Sequence, residues 1–121
     1  MTVYLRTEDL LELVADLNVG PVRDLGLLDS AAHRPTTTLW ATEVYPSVDE
    51  KGAVLLESIV RNHPLVDCNK RLGWLSLAVF YDLNGVEFDA PDDDAYDLVI
   101  SVASGGIETA DIAAKLRTWR A

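Results

Sequence analysis

The sequence predicts an all-α protein: a compact bundle of about six helices in a single domain spanning residues 1–121. Three observations predict this class. Apolar residues recur at helical spacing in most segments, 49% of the 121 residues are apolar, and glycines and prolines separate the segments. A chain of this length suits one domain around one hydrophobic core.

The first two helices are short and lie near the N-terminus. The first is predicted over residues 8–17, with Thr7 as its cap and acidic residues in the first turn, where the helix dipole favours them. Residues 18–21 end it with a glycine and a proline. The second is predicted over residues 23–32 and ends before Pro35, because proline disfavours helical backbone in the preceding residue.

Residues 35–46 form the least regular segment, rich in threonine and β-branched residues. A short irregular or hairpin flap is expected here, although no Asn-Gly or Asp-Gly turn supports a hairpin. Trp40 lies in its middle. Contact with another protein is one use for that side chain, but packing in the core is the expectation.

The third and fourth helices are the longest. The third follows Ser47 and runs to about Asn62, and Ser47 with Glu50 forms a capping box. Pro64 breaks it. The fourth begins at residue 68 or 69 and stops at residues 84–85. It is apolar on most sides, so a central, buried position is predicted.

Two further helices complete the predicted bundle, after a short extended piece at residues 86–88. Asp92–Asp94 open the fifth helix, and acids at the positive end of a helix explain this run better than a metal site does. Thr109 is predicted to cap the sixth. Trp119 in the sixth helix and Trp74 in the fourth are both expected in the core.

Composition excludes several classes of protein. A net charge of −10 makes nucleic acid an unfavourable direct ligand, since its phosphates require cations. No run of about 18 apolar residues is present, so no membrane span is expected. The N-terminus lacks an apolar signal core and is expected to be untargeted. Cys68 is the only cysteine, so no intrachain disulfide can form, and a cytoplasmic location is expected.

Residues 63–71, His-Pro-Leu-Val-Asp-Cys-Asn-Lys-Arg, concentrate polar groups between the third and fourth helices. Asn69, Lys70 and Arg71 fall in the first turn of the fourth helix, where free backbone N–H groups and the helix dipole favour anions. Lys70 and Arg71 add full charges. With Arg61 nearby, this predicts a cationic pocket for a small anionic ligand.

A base and a metal ligand accompany this anion site. Asp67 is a candidate Mg²⁺ ligand, because phosphates would repel a carboxylate unless a cation stood between them. His63 can accept a proton from an attacking hydroxyl. Together these groups suit phosphoryl or nucleotidyl transfer.

Structural explanations exist for each of these residues. They are a hydrogen-bonded helix end for His63, helix capping for Asp67 and solvated surface cations for Lys70 and Arg71. The clustering of all four favours a site. Cys68 is read as a passive small residue, and His33 as a surface residue at a helix end.

The motif resembles the Fic/Doc superfamily, and most closely its Doc (death-on-curing) branch. The Doc pattern H-x-F-x-D-x-N-K-R is matched at five positions: His63, Asp67, Asn69, Lys70 and Arg71. Leu65 replaces the usual phenylalanine, and Trp74 stands where Fic enzymes carry a second arginine. The stretch R-D-L-G-L-L-D-S-A with R-P at residues 34–35 is also similar to a segment common in Doc-like chains.

The resemblance implies a Fic/Doc-like helical fold and the toxin of a toxin–antitoxin pair. Members of the Doc branch transfer the ATP γ-phosphate to a threonine of elongation factor Tu, which blocks translation. By this resemblance, His63, Asp67 and Arg71 would be catalytic and Asp67 would hold Mg²⁺. Asn69, Lys70 and Arg71 would bind ATP. The chain has no S/T-x-x-x-E-G/N inhibitory motif, so a cognate Phd-like antitoxin is the expected inhibitor.

Two alternatives to the kinase remain open at this point. Fic enzymes usually transfer AMP to a protein hydroxyl. Lys70 replaces a glycine of the Fic motif, and its bulk is expected to block that orientation of ATP and bring the γ-phosphate to His63. The other alternative is a degenerate member that acts only by binding a partner, suggested by Leu65 and residues 72–74.

Overall fold

Six α-helices, one 3₁₀ turn and a small hairpin make up the computed structural model, which describes residues 1–121. The helices are α1 (Thr7–Leu17), α2 (Leu25–His33), α3 (Val48–Asn62), α4 (Asn69–Leu83), α5 (Asp92–Ser104) and α6 (Thr109–Thr118). The strands are β1 (Thr38–Leu39) and β2 (Thr42–Glu43). The prediction of an all-α bundle of six helices is confirmed. No helix has both the length and the apolar character needed to cross a membrane.

Helix α3 is the most completely buried element, with 11 of its 15 residues inside the protein. It packs closely on α4: a Cβ added at Gly73 would lie 2.7 Å from a methyl of Val60, and one at Gly52 would lie 2.8 Å from a methyl of Leu77. Apolar clusters fill the space on both sides of this pair, one with α5 and α6 and the other with α1 and α2. The α3–α4 pair is therefore the centre of the bundle, and Gly73 is explained by packing.

Two of the predicted helix caps are wrong. Thr7 lies inside the first turn of α1, and the capping interaction is a bond of 2.8 Å from the Arg6 backbone N–H to the Asp9 carboxylate. Thr109 also lies inside its helix, and its hydroxyl donates to Glu57 at 2.8 Å. Both threonines connect to another part of the structure instead, a use that their position in the sequence does not reveal.

The boundaries of α2 and α3 follow from their caps. The Asp24 side chain accepts from the Leu27 backbone N–H at 3.1 Å, so α2 begins at Leu25, two residues later than predicted. Ser47 accepts from the Glu50 N–H at 3.1 Å, which confirms the predicted cap of α3, but the Glu50 side chain does not complete the predicted capping box. Pro35 is buried within a 3₁₀ turn that continues directly from α2.

The flap at residues 35–46 contains a two-residue hairpin. Its turn residues, Trp40 and Ala41, have φ of 53° and 61°, angles that Asn-Gly sequences normally provide. The prediction that Trp40 packs in the core is wrong: the side chain is 91% exposed at the hairpin tip. The buried Lys51 ammonium anchors the flap to α3, donating to Glu43 at 3.0 Å and to the carbonyl of Tyr45.

Two buried carboxylates of α3 join distant parts of the chain. Asp49 accepts from the Tyr81 hydroxyl at 2.6 Å and from Arg120 at 3.1 Å, and Arg117 lies 3.3 Å away. Burial, followed by the hydrogen bond to Asp49, raises the pKa of Tyr81 above the ordinary tyrosine value. Charged and hydrogen-bonded groups thus tie the start of α3 to α4 and to the C-terminal residues.

The second buried carboxylate, Glu57, lies about two helical turns after Asp49 in α3. It pairs with Arg34 at 2.6 Å and with Arg61 at 3.0 Å, and accepts from Thr109. Burial disfavours the charge on Arg34, but the bonds to Glu57 and Tyr45 outweigh it and raise the pKa of Arg34. Arginine is protonated in both the folded and the unfolded protein at ordinary pH, so this shift does not make the stability depend on pH.

We expect the stability of the protein to fall as the pH rises above about 10, partly because of Tyr81. The unfolded tyrosine loses its proton near that pH and the folded one retains it, which costs up to about 1.4 kcal/mol per pH unit. In Tyr81→Phe the fall should be shallower. Urea unfolding from pH 8 to 11 measures this, with the exposed Tyr96→Phe as control. Equal slopes in both variants would contradict the prediction.

Candidate active site

The motif loop is a tight turn bounded by two left-handed residues. His63 caps the C-terminus of α3 with φ of 53°, and Cys68 precedes α4 with φ of 68°. Such angles cost a residue with a side chain about 1–2 kcal/mol, although histidine adopts them more readily than most. The side chain of Leu65, between them, is 1% exposed and anchors the turn in the core. Leucine therefore fills the anchoring position that phenylalanine occupies in the Doc pattern.

The five motif side chains line one open cleft. Its volume is about 700 Å³, within the usual range for sites of small molecules. One wall is the loop and the first turn of α4, and the other is a face of α5. The structure therefore brings together the five motif residues predicted from the sequence as catalytic or ligand-binding: His63, Asp67, Asn69, Lys70 and Arg71.

Asn69 holds the loop in shape. Its side-chain oxygen accepts from the Leu65 N–H at 2.9 Å, and its nitrogen donates to the Leu65 carbonyl at 3.0 Å. The same nitrogen lies 3.4 Å from Nδ1 of His63, a long contact that orients the ring. The Asn69 side chain is thus a brace for the loop, and its backbone N–H remains at the anion-favouring start of α4.

Asp67 is exposed and does not cap α4. Its Oδ1 accepts from the Cys68 N–H at 2.8 Å, and no side chain caps the helix. No group of three His, Cys, Asp or Glu residues in the protein is close enough to enclose a metal ion. A single carboxylate can hold Mg²⁺ only when other ligands, such as phosphate oxygens, complete the coordination.

Two of the three predicted cations, Lys70 and Arg71, lie at this site, and the third, Arg61, does not. Lys70 and Arg71 are exposed, line the cleft and take part in none of the eight ion pairs of the molecule. Arg61 was expected beside them but points elsewhere: it donates to the carbonyls of Val102 and Ile107 and pairs with Glu57. It holds α3 to α5, because the interior of the protein offers it these acceptors.

An apolar wall faces the cations, and the sequence did not reveal it. Tyr96 and Ile100 of α5 are 68% and 39% exposed and line the cleft with Val99. Trp74, predicted to lie in the core, is half-buried: it contacts Trp119 edge-on at 6.5 Å between ring centroids and also lines the cleft. The spacing of the α5 residues is that of any helix face, so only the fold shows where that face lies.

Asp92 and Cys68 also line the cleft. Asp92 is the first residue of α5, where the helix dipole accounts for an acid, as predicted. His33 is exposed at the end of α2, also as predicted, and its ring lies 2.9 Å from the Asp29 carbonyl.

The fold and the motif together point to a known class of protein: a helical bundle in which this polar loop joins the two central helices. The family model described as the Fic/DOC family matches residues 4–81, which include α1 to α3 and the whole motif. The chain therefore belongs to the Fic/DOC family, a family of transferases. It is also 42% identical over 125 residues to a protein named Toxin Doc from Mycolicibacterium smegmatis, an alignment that covers 100% of this chain and 96% of the relative.

Proposed function

We propose that this protein is the toxin of a toxin–antitoxin pair and acts as a Doc-type kinase. In this proposal it transfers the γ-phosphate of ATP to a threonine of elongation factor Tu and so blocks translation. The observation that carries the proposal is the cleft in which a histidine, a carboxylate and two unpaired cations meet. Similarity to the relative named Toxin Doc along the whole chain supports the role of toxin.

The two walls of the cleft match the two chemical halves of ATP. The triphosphate would lie against Lys70, Arg71 and the uncapped start of α4, where backbone N–H groups and the helix dipole favour anions. The planar base would lie against Tyr96 and Trp74, because small-molecule sites are mostly apolar with a few polar groups that fix orientation. A cleft of about 700 Å³ is large enough for both halves.

The proposed reaction is a direct phosphoryl transfer. The threonine oxygen forms a bond to the γ-phosphorus while the bond from that phosphorus to the bridging β-γ oxygen breaks, and ADP leaves. His63 accepts the proton of the hydroxyl, and Arg71 and Lys70 face the charge on the phosphoryl oxygens. Mg²⁺ bound at Asp67 would neutralise charge on the β- and γ-phosphates. Positioning and charge stabilisation supply most of the catalysis in such reactions.

Lys70 favours the γ-phosphate over the α-phosphate as the reacting group. The Fic pattern has glycine at this position, where ATP can lie with its α-phosphate near the histidine. A lysine side chain fills that space and adds a charge that holds the far end of the triphosphate. AMP transfer to a protein hydroxyl is the alternative reaction in the same cleft.

Labelled ATP separates these reactions. Elongation factor Tu is incubated with the protein, Mg²⁺ and ATP labelled at either the γ- or the α-phosphate. We expect label on the factor with γ-labelled ATP only, and none when Mg²⁺ is chelated. Transfer of the α-label would establish AMP transfer and refute the argument from Lys70. Growth arrest in cells without transfer of either label would favour a toxin that acts only by binding.

The proposed toxin requires a partner that restrains it. The chain lacks an inhibitory motif of its own: Ser104 and Glu108 have the required spacing, but Thr109 follows them. We therefore propose inhibition in trans by a Phd-like antitoxin whose C-terminal segment folds on binding.

A further inference from the structure

Helix α3 ends differently from the other helices, and Arg23 completes it. In the other five α-helices the cap residue donates its backbone N–H to a carbonyl of the last turn. No such bond exists at His63, and the next residue, Pro64, has no N–H to offer. Arg23, in the loop between α1 and α2, supplies the missing donors. Its Nε donates to the His63 carbonyl at 2.9 Å and its Nη2 to the Asn62 carbonyl at 3.1 Å.

The backbone around Arg23 holds the same turn. The N–H groups of Arg23 and Asp24 donate to the Pro64 carbonyl at 2.7 and 3.0 Å, and the Val66 N–H donates to the Pro21 carbonyl at 2.9 Å. Together with the two guanidinium bonds, five hydrogen bonds join this segment to the turn that carries the imidazole. The turn is therefore fixed from outside the motif as well as from within it.

The Arg23 guanidinium has no other partner. It takes part in none of the ion pairs of the molecule, and Arg23 is not among the residues that line the cleft. A cation at the carbonyl end of a helix is also favourably placed in the field of the helix dipole. These contacts identify a residue that acts on the geometry of the loop rather than on a ligand.

We propose that Arg23 is a positioning residue for His63. The two hydrogen bonds of its guanidinium fix the left-handed turn and thereby orient the imidazole toward the cleft. Without the guanidinium, the carbonyls of Asn62 and His63 lose their donors and the turn relaxes. The ring then moves out of line with the hydroxyl and the γ-phosphorus. A displacement of about 1 Å is enough to reduce a rate about 100-fold. The kinetic consequence rests on the proposed kinase activity, but the orientation of the ring does not.

The kinetic test compares Arg23→Ala and Arg23→Lys with the control Arg6→Ala, which removes an exposed arginine at the start of α1. We expect kcat to fall about 100-fold in Arg23→Ala, with KM for ATP changed less than about twofold. A lysine can donate to one of the two carbonyls but cannot bond both as the guanidinium does. The kcat of Arg23→Lys should therefore lie between those of Arg23→Ala and the unmodified protein. A rise in KM for ATP with kcat unchanged would mean that Arg23 binds nucleotide, and would overturn the proposal.

The second test does not need catalysis. The protein has two histidines, so NMR of the imidazole rings gives two sets of signals. In Arg23→Ala the signals of His63 should shift and broaden while those of His33 stay unchanged, and Arg23→Lys should be intermediate. Unaltered His63 signals in a folded Arg23→Ala protein overturn the proposal, whether or not the protein is a kinase. If Arg23→Ala does not fold, Arg23→Lys is judged by the same criterion.

Discussion

Replacement of His63 by alanine is expected to lower transfer of the γ-phosphate by about 10²- to 10⁴-fold, the usual contribution of a general acid–base group. His63 is exposed in the cleft, so its replacement removes no core packing and the loss of rate should come mainly from chemistry. Binding of ATP should change little, because Lys70 and Arg71 are the residues proposed to bind its phosphates. The measurement is initial rate with γ-labelled ATP, together with nucleotide affinity by calorimetry.

Two further variants make this result interpretable. Alanine is unfavourable at φ of 53°, whereas asparagine tolerates the left-handed region and carries no base, so His63→Asn separates strain from chemistry. His33→Ala removes the other histidine, which is exposed outside the cleft, and should retain the full rate. Near-normal transfer by His63→Asn would exclude His63 as the base.

Replacement of Glu57 by glutamine is expected to cost about 3 kcal/mol of unfolding free energy. Removing one partner of a buried ion pair typically costs about 3–5 kcal/mol, because the remaining charge stays uncompensated. Here two guanidinium groups, Arg34 and Arg61, lose their counter-charge. The lower end of that range applies because their side chains are 33% and 29% exposed. Glutamine keeps the size of the side chain, so no cavity contributes.

Urea unfolding at neutral pH measures the effect, with Glu8→Gln as the matched control. Glu8 faces Arg6 at 3.9 Å on the surface, where such pairs contribute less than about 1 kcal/mol. A loss below about 1 kcal/mol for Glu57→Gln would show that these ion pairs, including the one that joins the 3₁₀ turn to α3, contribute little to stability.

The helices were predictable because their signals are local. Apolar spacing, together with the cap at Ser47 and the break at Pro64, is enough to place helices within a few residues. The hairpin tip was not predictable, since Trp40 and Ala41 occupy angles normally left to asparagine and glycine. The threonines at positions 7 and 109 failed as caps for another reason: their hydroxyls donate to carboxylates on other helices, Asp29 and Glu57.

The motif residues were predictable as a cluster because they lie within nine positions. Their supports were not, since Arg23 is forty residues from His63 in the sequence and only the fold brings it to the end of α3. The same holds for Tyr96 and its neighbours on α5. Arg61 shows the converse. Its nearness in sequence suggested a place in the site, but its guanidinium donates to the carbonyls of Val102 and Ile107 instead.

The ion pairs at Asp49 make the integrity of α3 depend on the last residues of the fold. Helix α3 carries this carboxylate near its start and His63 just past its end, but the arginines that neutralise it are residues 117 and 120. A variant that lacks residues 117–121 would leave the Asp49 carboxylate without either arginine, with only the Tyr81 hydroxyl as partner. Shortening the chain at this point is therefore expected to destabilise α3, the helix whose far end carries the imidazole.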